Sequence, residues 1–501
     1  MSAENTMILV NPKDNVAVAL TPLQAGAKVN IEGKEITLLD NIPFGHKAAL
    51  VDVKAGENII KYGYPIGHAK VDIKAGAHVH VHNLKTNLSG ILNYTYNKVD
   101  SPLPQIPAKY KNATFDGYKR PNGTAGVRNE VWIIPTVGCV NTTAKILEKK
   151  ANEMFAGKTD GFFAYTHNMG CSQLGDDQAT TQKILKGIIN NPNAGAVLVL
   201  SLGCENNNLK TFMPVLGEYD PNRVKFMVTQ NVEDEYEAGL KILGELAEYA
   251  SSFKREPLSP SYLTLGFKCG GSDAFSGITA NPLCGRINDL LVSLGGSTIL
   301  TEVPEMFGAE TLLMNRATNE GVFHKIVSLI NDFKGYFTKY KQTIYENPSP
   351  GNKDGGISSL EEKSLGCTQK GGGAQVVGVL DYGEQISTRG LNLLTGPGND
   401  QVSVTNLTAS GAQVILFTTG RGNPFGAPVP TIKISSNSNL YNNKKQWIDF
   451  NAGILLEGKT FDEATEQLFD YILALASGKV RTKNEEYGYK EISIFRDGVI
   501  L

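Results

Sequence analysis

The N-terminal part of the chain alternates short runs of apolar and polar positions with glycines, and it contains no helical pattern. The runs either alternate or are rich in β-branched residues, which is typical of half-buried strands. The predicted strands are Val16–Leu20, Lys28–Ile31, Glu35–Thr37, Lys47–Val51, Glu57–Lys61 and His78–His82. Because glycines separate these runs, we predict a small all-β domain over residues 1–92.

The pattern changes twice after this region. Residues 93–128 carry prolines at positions 102, 104, 107 and 121 among Asn, Gly and Lys, a composition typical of a linker or of a segment that wraps a surface. From Val131 onward, apolar runs alternate with amphipathic segments, which predicts βαβ units and largely parallel sheets. Prolines at 257 and 260 interrupt this part, so the predicted α/β regions are 129–255 and 256–501.

The clearest runs after Val131 predict fifteen elements. The strands are Val131–Val137, Gly161–Thr166, Ala196–Leu202, Val224–Val228, Leu263–Gly266, Ser297–Glu302, Leu391–Leu394 and Ala412–Thr418. The helices are Asn141–Phe155, Gln178–Asn190, Glu233–Phe253, Leu283–Leu294, Ala309–Asn315, Val322–Tyr336 and Phe461–Ala476. The predicted fold class is therefore α/β, with a small N-terminal all-β domain followed by one or two α/β domains with largely parallel sheets.

Composition and charge exclude several function classes. The formal net charge of −2, without a basic stripe, gives no electrostatic footprint for nucleic acid or for an anionic membrane. No apolar run approaches the about 18 residues of a membrane-spanning helix, and the start of the chain lacks the pattern of a signal peptide. Six cysteines in 501 residues are too few for a disulfide scaffold, so we expect a reduced, cytoplasmic protein.

Four cysteines directly follow apolar, strand-like runs: Cys139, Cys171, Cys204 and Cys269. In open α/β sheets, ligands bind beyond the carboxyl ends of the strands, so we expect these loops to share one edge. That edge would collect Asn141, His167, Cys171, Glu205, Asn206, Ser272 and Asp273. Thiolate and imidazole suit ferrous iron or zinc, although free cysteines are often simply buried. No C-x-x-C indicates a structural zinc site, whereas an iron–sulfur cluster held by three or four of the cysteines stays open.

Two further stretches carry candidate chemistry. His78, His80 and His82 alternate, so on a strand they share one face that could hold a divalent cation, a substrate carboxylate or only solvent. The loop Phe267–Pro282 reads FKCGGSDAFSGITANP and combines glycines with short polar groups that suit hydroxyls and carboxylates, although such residues also form ordinary turns. The chain has no H-E-x-x-H, P-loop or G-x-G-x-x-G motif, so a dinucleotide or nucleoside-triphosphate enzyme is not indicated.

Long motifs run through the chain. Among them are IIKYGYPIGHA (59–69), RNEVWIIPTVGCVN (128–141), HNMGCSQLGDD (167–177), CGGSDAFSGITANP (269–282), TEVPEMFGAE (301–310), EKSLGCTQKGG (362–372) and TTGRGNPFG (418–426). With these motifs the chain resembles the altronate/galactarate dehydratase family over its entire length, and its beginning resembles the SAF-type, β-clip domain of that family. VHVHN (79–83) and NPSPGNK (347–353) resemble the altronate branch.

The resemblance implies conversion of D-altronate to 2-dehydro-3-deoxy-D-gluconate and water in hexuronate breakdown. It also implies a divalent metal, usually Fe²⁺ with Mn²⁺ as a substitute. Such a reaction removes the C2 proton and expels the C3 hydroxyl, so a Lewis acid and positioned proton-transfer groups are expected. The catalytic candidates are His167, Asp273 and Lys370; the substrate-binding candidates are Asn141, Ser272, Asn281, Asn352, Lys353 and Arg421; the metal candidates are His80, His82, Cys171, Cys204 and Glu205.

Three alternatives stay open at this point. The first is a dehydratase of the same family acting on galactarate or a related aldarate, and the second is a sugar-acid-binding protein without catalysis. The third is an enzyme that uses Cys171 or Cys204 as a covalent nucleophile. The expected partners are a small sugar acid and further copies of the chain in a homo-oligomer, with no nucleic acid and no membrane.

Overall fold

A computed structural model describes residues 6–499, and its N-terminal region is the predicted all-β domain. The strands are β1 (Met7–Ile8), β2 (Val16–Ala19), β3 (Lys28–Ile31), β4 (Lys34–Thr37), β5 (Lys47–Ala49), β6 (Asn58–Lys61), β7 (Tyr64–Ala69), β8 (His78–Val79) and β9 (Leu84–Lys85). They form small antiparallel sheets in the orders β1-β2-β5-β8, β3-β4 and β6-β7-β9. The predicted strand His78–His82 is too long, because the chain turns after Val79.

The residues that follow the all-β domain are extended and lie on the C-terminal region. Tyr94 Oη donates a hydrogen bond to Glu310 (2.6 Å), and Tyr96 Oη donates one to the Ala317 carbonyl (2.6 Å). The last part of the predicted linker is ordered differently: β10 (Phe115–Lys119) pairs with β11 (Ala125–Gly126) and with β16 (Glu256–Leu258) in an antiparallel sheet. The segment 93–128 therefore first lies on the surface of the C-terminal region and then contributes two strands to a small sheet that β16 completes.

The next region is built on a four-stranded parallel sheet. Its strands are β12 (Glu130–Pro135), β13 (Phe162–Ala164), β14 (Ala194–Ser201) and β15 (Val224–Val228), in the order β13-β12-β14-β15. Its helices are α1 (Asn141–Met154), α2 (Gly175–Ile189), α3 (Leu209–Leu216) and α4 (Glu235–Ser251). β12 and β14 are buried on both faces, which explains their continuous apolar sequences.

The C-terminal region is built on a seven-stranded parallel sheet. Its strands are β17 (Thr264–Cys269), β18 (Ser297–Leu300), β19 (Val376–Leu380), β20 (Leu391–Leu394), β21 (Val414–Thr419), β22 (Thr431–Ser435) and β23 (Phe450–Asn451). The strand order is β19-β20-β18-β17-β21-β22-β23. The strands β18, β20 and β19 therefore extend the sheet on one side of β17, and β21, β22 and β23 extend it on the other side. The carboxyl ends of β17 and β21 are thus the topological switch point, where ligands bind in such sheets.

Nine helices cover this sheet or lie at its edges within residues 6–499. They are α5 (Ala280–Ser293), α6 (Glu310–Met314), α7 (Glu320–Lys339), α8 (Pro350–Asp354), α9 (Leu360–Cys367), α10 (Asp400–Ala409), α11 (Ser438–Asn443), α12 (Phe461–Ala476) and α13 (Lys483–Glu486). In that part of the chain, none of the helices combines the length and the apolar character needed to cross a membrane.

Sequence patterning missed β19, β22, α9 and α10. The reason is clearest for α10, whose sequence DQVSVTNLTA has no amphipathic stripe because residues 402–409 are all buried. α10 packs against α2, and Asn191 Nδ2 donates hydrogen bonds to the carbonyls of Thr408 and Ala412 (both 2.9 Å). The two α/β regions therefore share one buried interface.

Candidate active site

The strand-end cysteines lie at two different sheets. Cys139, Cys171 and Cys204 follow β12, β13 and β14 and are exposed, whereas Cys269 is the last residue of β17 and is buried. The prediction that one edge collects all four loops is therefore wrong, because the two α/β regions form separate sheets.

A buried group of two thiols and a carboxylate lies at the carboxyl end of β17. Cys269 Sγ is 2.8 Å from Glu305 Oε2 and 3.5 Å from Cys367 Sγ, and Cys367 Sγ is 3.1 Å from the same glutamate oxygen. Glu305 lies on a short helical turn after β18, and Cys367 ends α9. Within residues 6–499, this is the one group of three or more His, Cys, Asp or Glu side chains whose ligand atoms all lie within 4.8 Å of one another.

Three buried lysines and a second glutamate surround this group. Lys363 Nζ lies 2.8 Å from Glu305 Oε1, and Lys370 Nζ lies 3.2 Å from Glu302 Oε2. Lys268 forms an ion pair with Glu302, whose carboxylate also accepts a hydrogen bond from the backbone N–H of Cys269. Buried charges of this kind persist only when they are paired, so the cluster is a connected network rather than a set of separate contacts.

The two glutamates have opposite environments. Burial opposes ionisation of Glu305, but the ammonium groups of Lys363, Lys268 and Lys370 outweigh it and hold the pKa of Glu305 well below its usual range. Burial raises the pKa of Glu302, and the neighbouring charge of Glu305 adds to that rise. Glu302 also has φ of 69°, in the left-handed region that residues other than glycine rarely adopt. Carboxylates with divergent pKa values and strained backbone both concentrate in active sites.

An open cavity of about 540 Å³ lies beside the cluster. Its volume is in the usual range for small-molecule sites. The polar side chains on its wall are Cys269, Glu305, Glu346, Asn347, Ser349, Asn352, Lys353, Lys363 and Asp400. The β17 loop forms part of the wall with the backbone of Gly270 and Gly271, so the cavity is at the switch point between β17 and β21.

Three of the predicted site residues lie at this cavity or in the buried cluster beside it. Asn352 and Lys353 line the cavity, and Lys370 is part of the buried cluster. Asn352 Nδ2 donates to the carbonyl of Ser272 (2.9 Å), and Asn352 Oδ1 accepts from Lys363 Nζ (3.2 Å). Ser272 is buried, and its hydroxyl has no hydrogen-bond partner in the described chain.

Asp273, Asn281 and Arg421 are near but not on the wall of this cavity. Asp273 accepts hydrogen bonds that join its loop to the next strands, including one from Ser436 Oγ (2.7 Å), and burial raises its pKa despite them. Asn281 Oδ1 accepts from Thr418 Oγ1 (2.7 Å) and is fully buried. Arg421 is exposed and shares with Asp273 the wall of a smaller cavity of about 330 Å³.

His167 and Asn141 hold loops at the other sheet. His167 Nε2 lies 2.7 Å from the carbonyl of Pro135, and His167 Nδ1 accepts from the backbone N–H of Met169 at 3.1 Å. Burial lowers the pKa of His167, so the ring is neutral, and both of its nitrogens form hydrogen bonds with backbone groups. Asn141 Nδ2 donates to the carbonyl of His167 (2.7 Å). The geometry gives both residues a positioning role, and the proton transfer predicted for His167 stays a prediction.

Two histidines of the all-β domain, His46 and His80, contact the segment 354–358 of the C-terminal region. His80 Nδ1 is 2.8 Å from Ser358 Oγ, and His46 Nδ1 is 3.0 Å from His78 Nε2. His82 is exposed, with its ring 5.3 Å from that of His78. Sequence analysis did not include His46 as a candidate, since it is far from the other histidines along the chain.

The metal-ligand set predicted from the sequence is not assembled. His80 and His82 belong to the all-β domain, whereas Cys171, Cys204 and Glu205 lie at the four-stranded sheet, and no three of these side chains bring their ligand atoms within 4.8 Å of one another. The role of each of them in binding a metal stays a prediction.

Sequence reasoning also missed most of the buried cluster. The missed residues are Lys268, Glu302, Glu305, Lys363 and Cys367. Glu302 and Glu305 lie in the motif TEVPEMFGAE, Lys363 and Cys367 lie in EKSLGCTQKGG, and Lys268 lies in the loop Phe267–Pro282. The motifs thus contained these residues without indicating that they meet. Their meeting could not be predicted, because α9 and the turn after β18 were not predicted as elements that face the same cavity.

Comparison with known protein families gives matches that together cover nearly the whole chain. Residues 5–87 match the altronate/galactarate dehydratase SAF domain, and residues 117–251 match the second domain of D-galactarate dehydratase/altronate hydrolase. Residues 260–500 match the C-terminal domain of D-galactarate/altronate dehydratase.

Curated relatives extend the similarity to full length. The chain is 52% identical to an altronate dehydratase of Bacillus subtilis over 499 residues, covering 99% of this chain and 100% of the relative. It is 50% identical to an altronate dehydratase of Escherichia coli over 498 residues, covering 99% of each. Identity to a galactarate dehydratase (L-threo-forming) of Escherichia coli is 34% over 509 residues, covering 97% and 96%. The chain therefore belongs to the altronate/galactarate dehydratase family.

Proposed function

We propose that the chain is a hydro-lyase that converts D-altronate to 2-dehydro-3-deoxy-D-gluconate and water in the cavity beside Cys269. The observation that carries this proposal is the full-length identity of 50–52% to two altronate dehydratases, against 34% to a galactarate dehydratase. The cavity supports it independently, since its wall combines ammonium groups, carboxylates and an amide, the groups that bind a polyhydroxy acid.

The reaction needs groups that stabilise negative charge and move two protons. The C2 hydrogen is weakly acidic because its conjugate base concentrates charge beside a carboxylate, and hydroxide leaves C3 only with a proton donor or a Lewis acid. We assign the substrate carboxylate to Lys353 and Asn352, which lie together on the wall. These two residues orient the acid so that C2 and C3 point toward the cluster.

Asp400 and Lys363 are the proposed proton-transfer groups. Asp400 lines the cavity and keeps 31% of its side chain exposed, so its carboxylate can reach the C2 proton. Lys363 also lines the cavity, and its partner Glu305 helps to raise the pKa of its ammonium group against the opposing effect of burial. Lys363 Nζ is thus a proton donor to the departing C3 hydroxyl. Glu302 and Lys370 lie behind this wall and hold the cluster in place.

The residues at the cluster fit a divalent cation such as Fe²⁺ or Mn²⁺. Two thiols and a carboxylate converge within 4.8 Å, and thiolates favour soft or borderline cations. The close contact with Cys269, together with burial, raises the pKa of the Cys367 thiol well above its usual value, and a bound cation would offset that effect. We propose that Cys269, Glu305 and Cys367 hold the ion; when bound, it supplies Lewis-acid stabilisation of charge on the substrate.

A substrate panel with Asp400→Asn tests this proposal. The wild-type chain, supplied with ferrous iron under reducing conditions, should form 2-keto acid from altronate in preference to galactarate. Asp400→Asn should lower kcat by about 10²–10⁴-fold, the usual value of a positioned base. It should also stop the exchange of the C2 proton with solvent, while the iron content of the protein stays unchanged.

Asp332→Asn is the matched control, since Asp332 is an exposed aspartate on α7 away from the cavity. It should leave turnover and C2 exchange unchanged. Equal turnover of galactarate and altronate would contradict the proposal that altronate is the preferred substrate. Normal C2 exchange in Asp400→Asn would contradict the proposal that Asp400 is the base. A cytoplasmic location and assembly into a homo-oligomer stay predictions from the sequence.

A further inference from the structure

We infer that Cys139, Cys171 and Cys204 hold a sulfide-bridged iron cluster at the carboxyl edge of the four-stranded sheet. This site is separate from the buried group around Cys269. The inference does not depend on the proposed substrate, because it is based only on how three loops present their thiols.

The three cysteines lie in the loops that follow three neighbouring strands, four, seven and three residues after the ends of β12, β13 and β14. β12 is hydrogen-bonded to β13 on one side and to β14 on the other, and all three strands are parallel. Each cysteine follows a glycine a few residues beyond its strand, in the dipeptides at 138–139, 170–171 and 203–204. Parallel neighbours end at the same sheet edge, so the three thiol-bearing loops emerge side by side.

Hydrogen bonds tie the three loops directly to one another. Gly138 N donates to the carbonyl of Met169 (3.0 Å), which joins the first loop to the second. Asn207 N donates to the carbonyl of Gly170 (3.1 Å), which joins the third loop to the second. Thr136 Oγ1 donates to Glu205 Oε1 (2.6 Å), which joins the first loop to the third. The cysteines therefore project from one compact platform.

The glycines before the cysteines allow this close packing. At Gly170, where φ is +97°, an added Cβ would lie 2.1 Å from the carbonyl oxygen of Thr136 in the neighbouring loop. At Gly203, where φ is +129°, it would lie 2.7 Å from Gln230 Oε1. The positive φ angles favour glycine at both positions, and at Gly170 glycine also allows the backbone of the neighbouring loop to approach closely.

Other groups around the thiols favour a negatively charged sulfur site. Gln230 Nε2 donates toward Cys204 Sγ at 3.4 Å, and hydrogen bonds of this kind tune cluster thiolates. α1 begins at Asn141, so the positive end of its dipole lies two residues after Cys139. Glu205 does not compete as a ligand, because its carboxylate already accepts from Thr136, Ser201 and backbone N–H groups.

The arrangement favours a cluster over a single ion or a covalent nucleophile. The sulfur atoms of the three thiols do not all lie within 4.8 Å of one another, which is the spacing that one shared ion requires. Bridging sulfides, in contrast, allow cysteines that lie farther apart to ligate one cluster. A nucleophilic thiol needs a free base, and both nitrogens of His167 are engaged by backbone groups. Three thiolates also leave one iron of a four-iron cluster without a cysteine, open toward solvent.

The test is reconstitution of the full-length chain with equal amounts of ferrous and ferric iron and with inorganic sulfide, without oxygen, so that a mixed-valence cluster forms without an added oxidant. We expect acid-labile sulfide, an equal amount of cluster iron in addition to the single ion proposed at Cys269, and the broad visible absorption of sulfide-bridged iron. A Cys139→Ser, Cys171→Ser, Cys204→Ser triple variant should lose both the sulfide and the absorption. Cys269→Ser and Cys284→Ala are the controls, and both should keep them, because neither residue belongs to this platform.

A second measurement avoids variants altogether. In the wild-type chain, loading should protect the three exposed thiols from alkylation, mapped by peptide mass spectrometry, relative to the unloaded chain. Wild type without labile sulfide after reconstitution, or a triple variant that keeps it, would overturn the inference. Turnover of altronate is scored separately: an active chain without sulfide rejects the cluster alone, and a sulfide-loaded chain without turnover rejects the proposed function alone.

Discussion

At the scale of single residues, the main finding is that neighbouring polar groups at the end of one strand differ in their pKa values and in their contacts. Glu302 and Glu305 lie three positions apart, yet their pKa values move in opposite directions. Burial and the charge of Glu305 raise the pKa of Glu302, whereas nearby ammonium groups outweigh burial and lower the pKa of Glu305. Glu302 keeps a left-handed backbone, an arrangement that costs on the order of 1–3 kcal/mol and persists only where the surroundings enforce it. Burial of a charge network on such a backbone indicates a site selected for chemistry rather than for stability.

The first prediction concerns His167. Since both ring nitrogens bond to backbone groups, His167→Gln should lower the free energy of unfolding by about 1–3 kcal/mol, the cost of unsatisfied buried partners. It should leave the pH dependence of kcat unchanged. Urea unfolding and a pH–rate profile check this; loss of one limb of the profile would instead support the proton transfer predicted from the sequence.

At the scale of elements, α9 connects the all-β domain to the active site. Successive residues of this helix face different neighbours: Glu362 accepts from Lys47 (2.8 Å) and Lys61 (2.7 Å) of the all-β domain, while Lys363 contacts Glu305. The side chains of Lys47, Lys61 and Glu362 are each 1% exposed. The domain is therefore fixed against α9 by a buried ion triad, not by a surface contact.

The second prediction follows from that triad. Glu362→Gln removes the shared counter-charge of two buried lysines, so it should lower the free energy of unfolding by about 3–5 kcal/mol. Glu35→Gln is the control, because the Lys28–Glu35 pair has side chains that are 67% and 62% exposed and should change stability by less than about 1 kcal/mol. Equal effects of the two variants in urea unfolding would show that the triad does not hold the domain.

At the scale of the whole molecule, the all-β domain binds the end of the segment 346–358, whose first part, residues 346–353, lines the cavity. Lys47 Nζ donates to the carbonyl of Gly356 (3.0 Å) and to Ser358 Oγ (2.6 Å), and His80 contacts the same serine. The same segment carries Asn352 and Lys353 on the cavity wall. Docking of the domain and shape of the active site are thus coupled through one loop.

The third prediction is that acid loosens this docking. Burial lowers the pKa of His78 to about 4 and of His80 to about 3, both below the ordinary value of 6.5. Burial opposes ionisation of Glu362, yet the charges of Lys47 and Lys61 outweigh it and lower its pKa to about 2. The folded-state pKa values of these three groups all lie below their unfolded values. Their contribution to the free energy of unfolding is therefore fully present above pH 6.5 and is lost as the pH falls from there toward about 2.

A His78→Gln, His80→Gln double variant tests that dependence. Its free energy of unfolding should change less than that of wild type between about pH 6.5 and 3, since two groups that resist protonation in the folded state have been removed. Urea unfolding at several pH values measures this directly. Parallel pH curves for variant and wild type would contradict the prediction.

The sequence predicted the elements whose patterns are local. The all-β domain, the strands before Cys139, Cys171 and Cys204, and amphipathic helices such as Phe461–Ala476 were all visible, because one buried face leaves a period of two or of 3.6 in the chain. α10 left no such period, since it is buried on every side. Family membership was equally readable, because the motifs run through the whole length.

Only the tertiary structure decided which of these residues meet. Cys269, Glu305 and Cys367 are separated by 36 and 62 positions along the chain, yet their ligand atoms converge because three elements end at one switch point. Conversely, Cys269 and Cys204 carry the same local signature but belong to separate sheets. Sequence periodicity records which side of an element is buried, whereas strand order, which is set by long-range pairing, determines what that side faces.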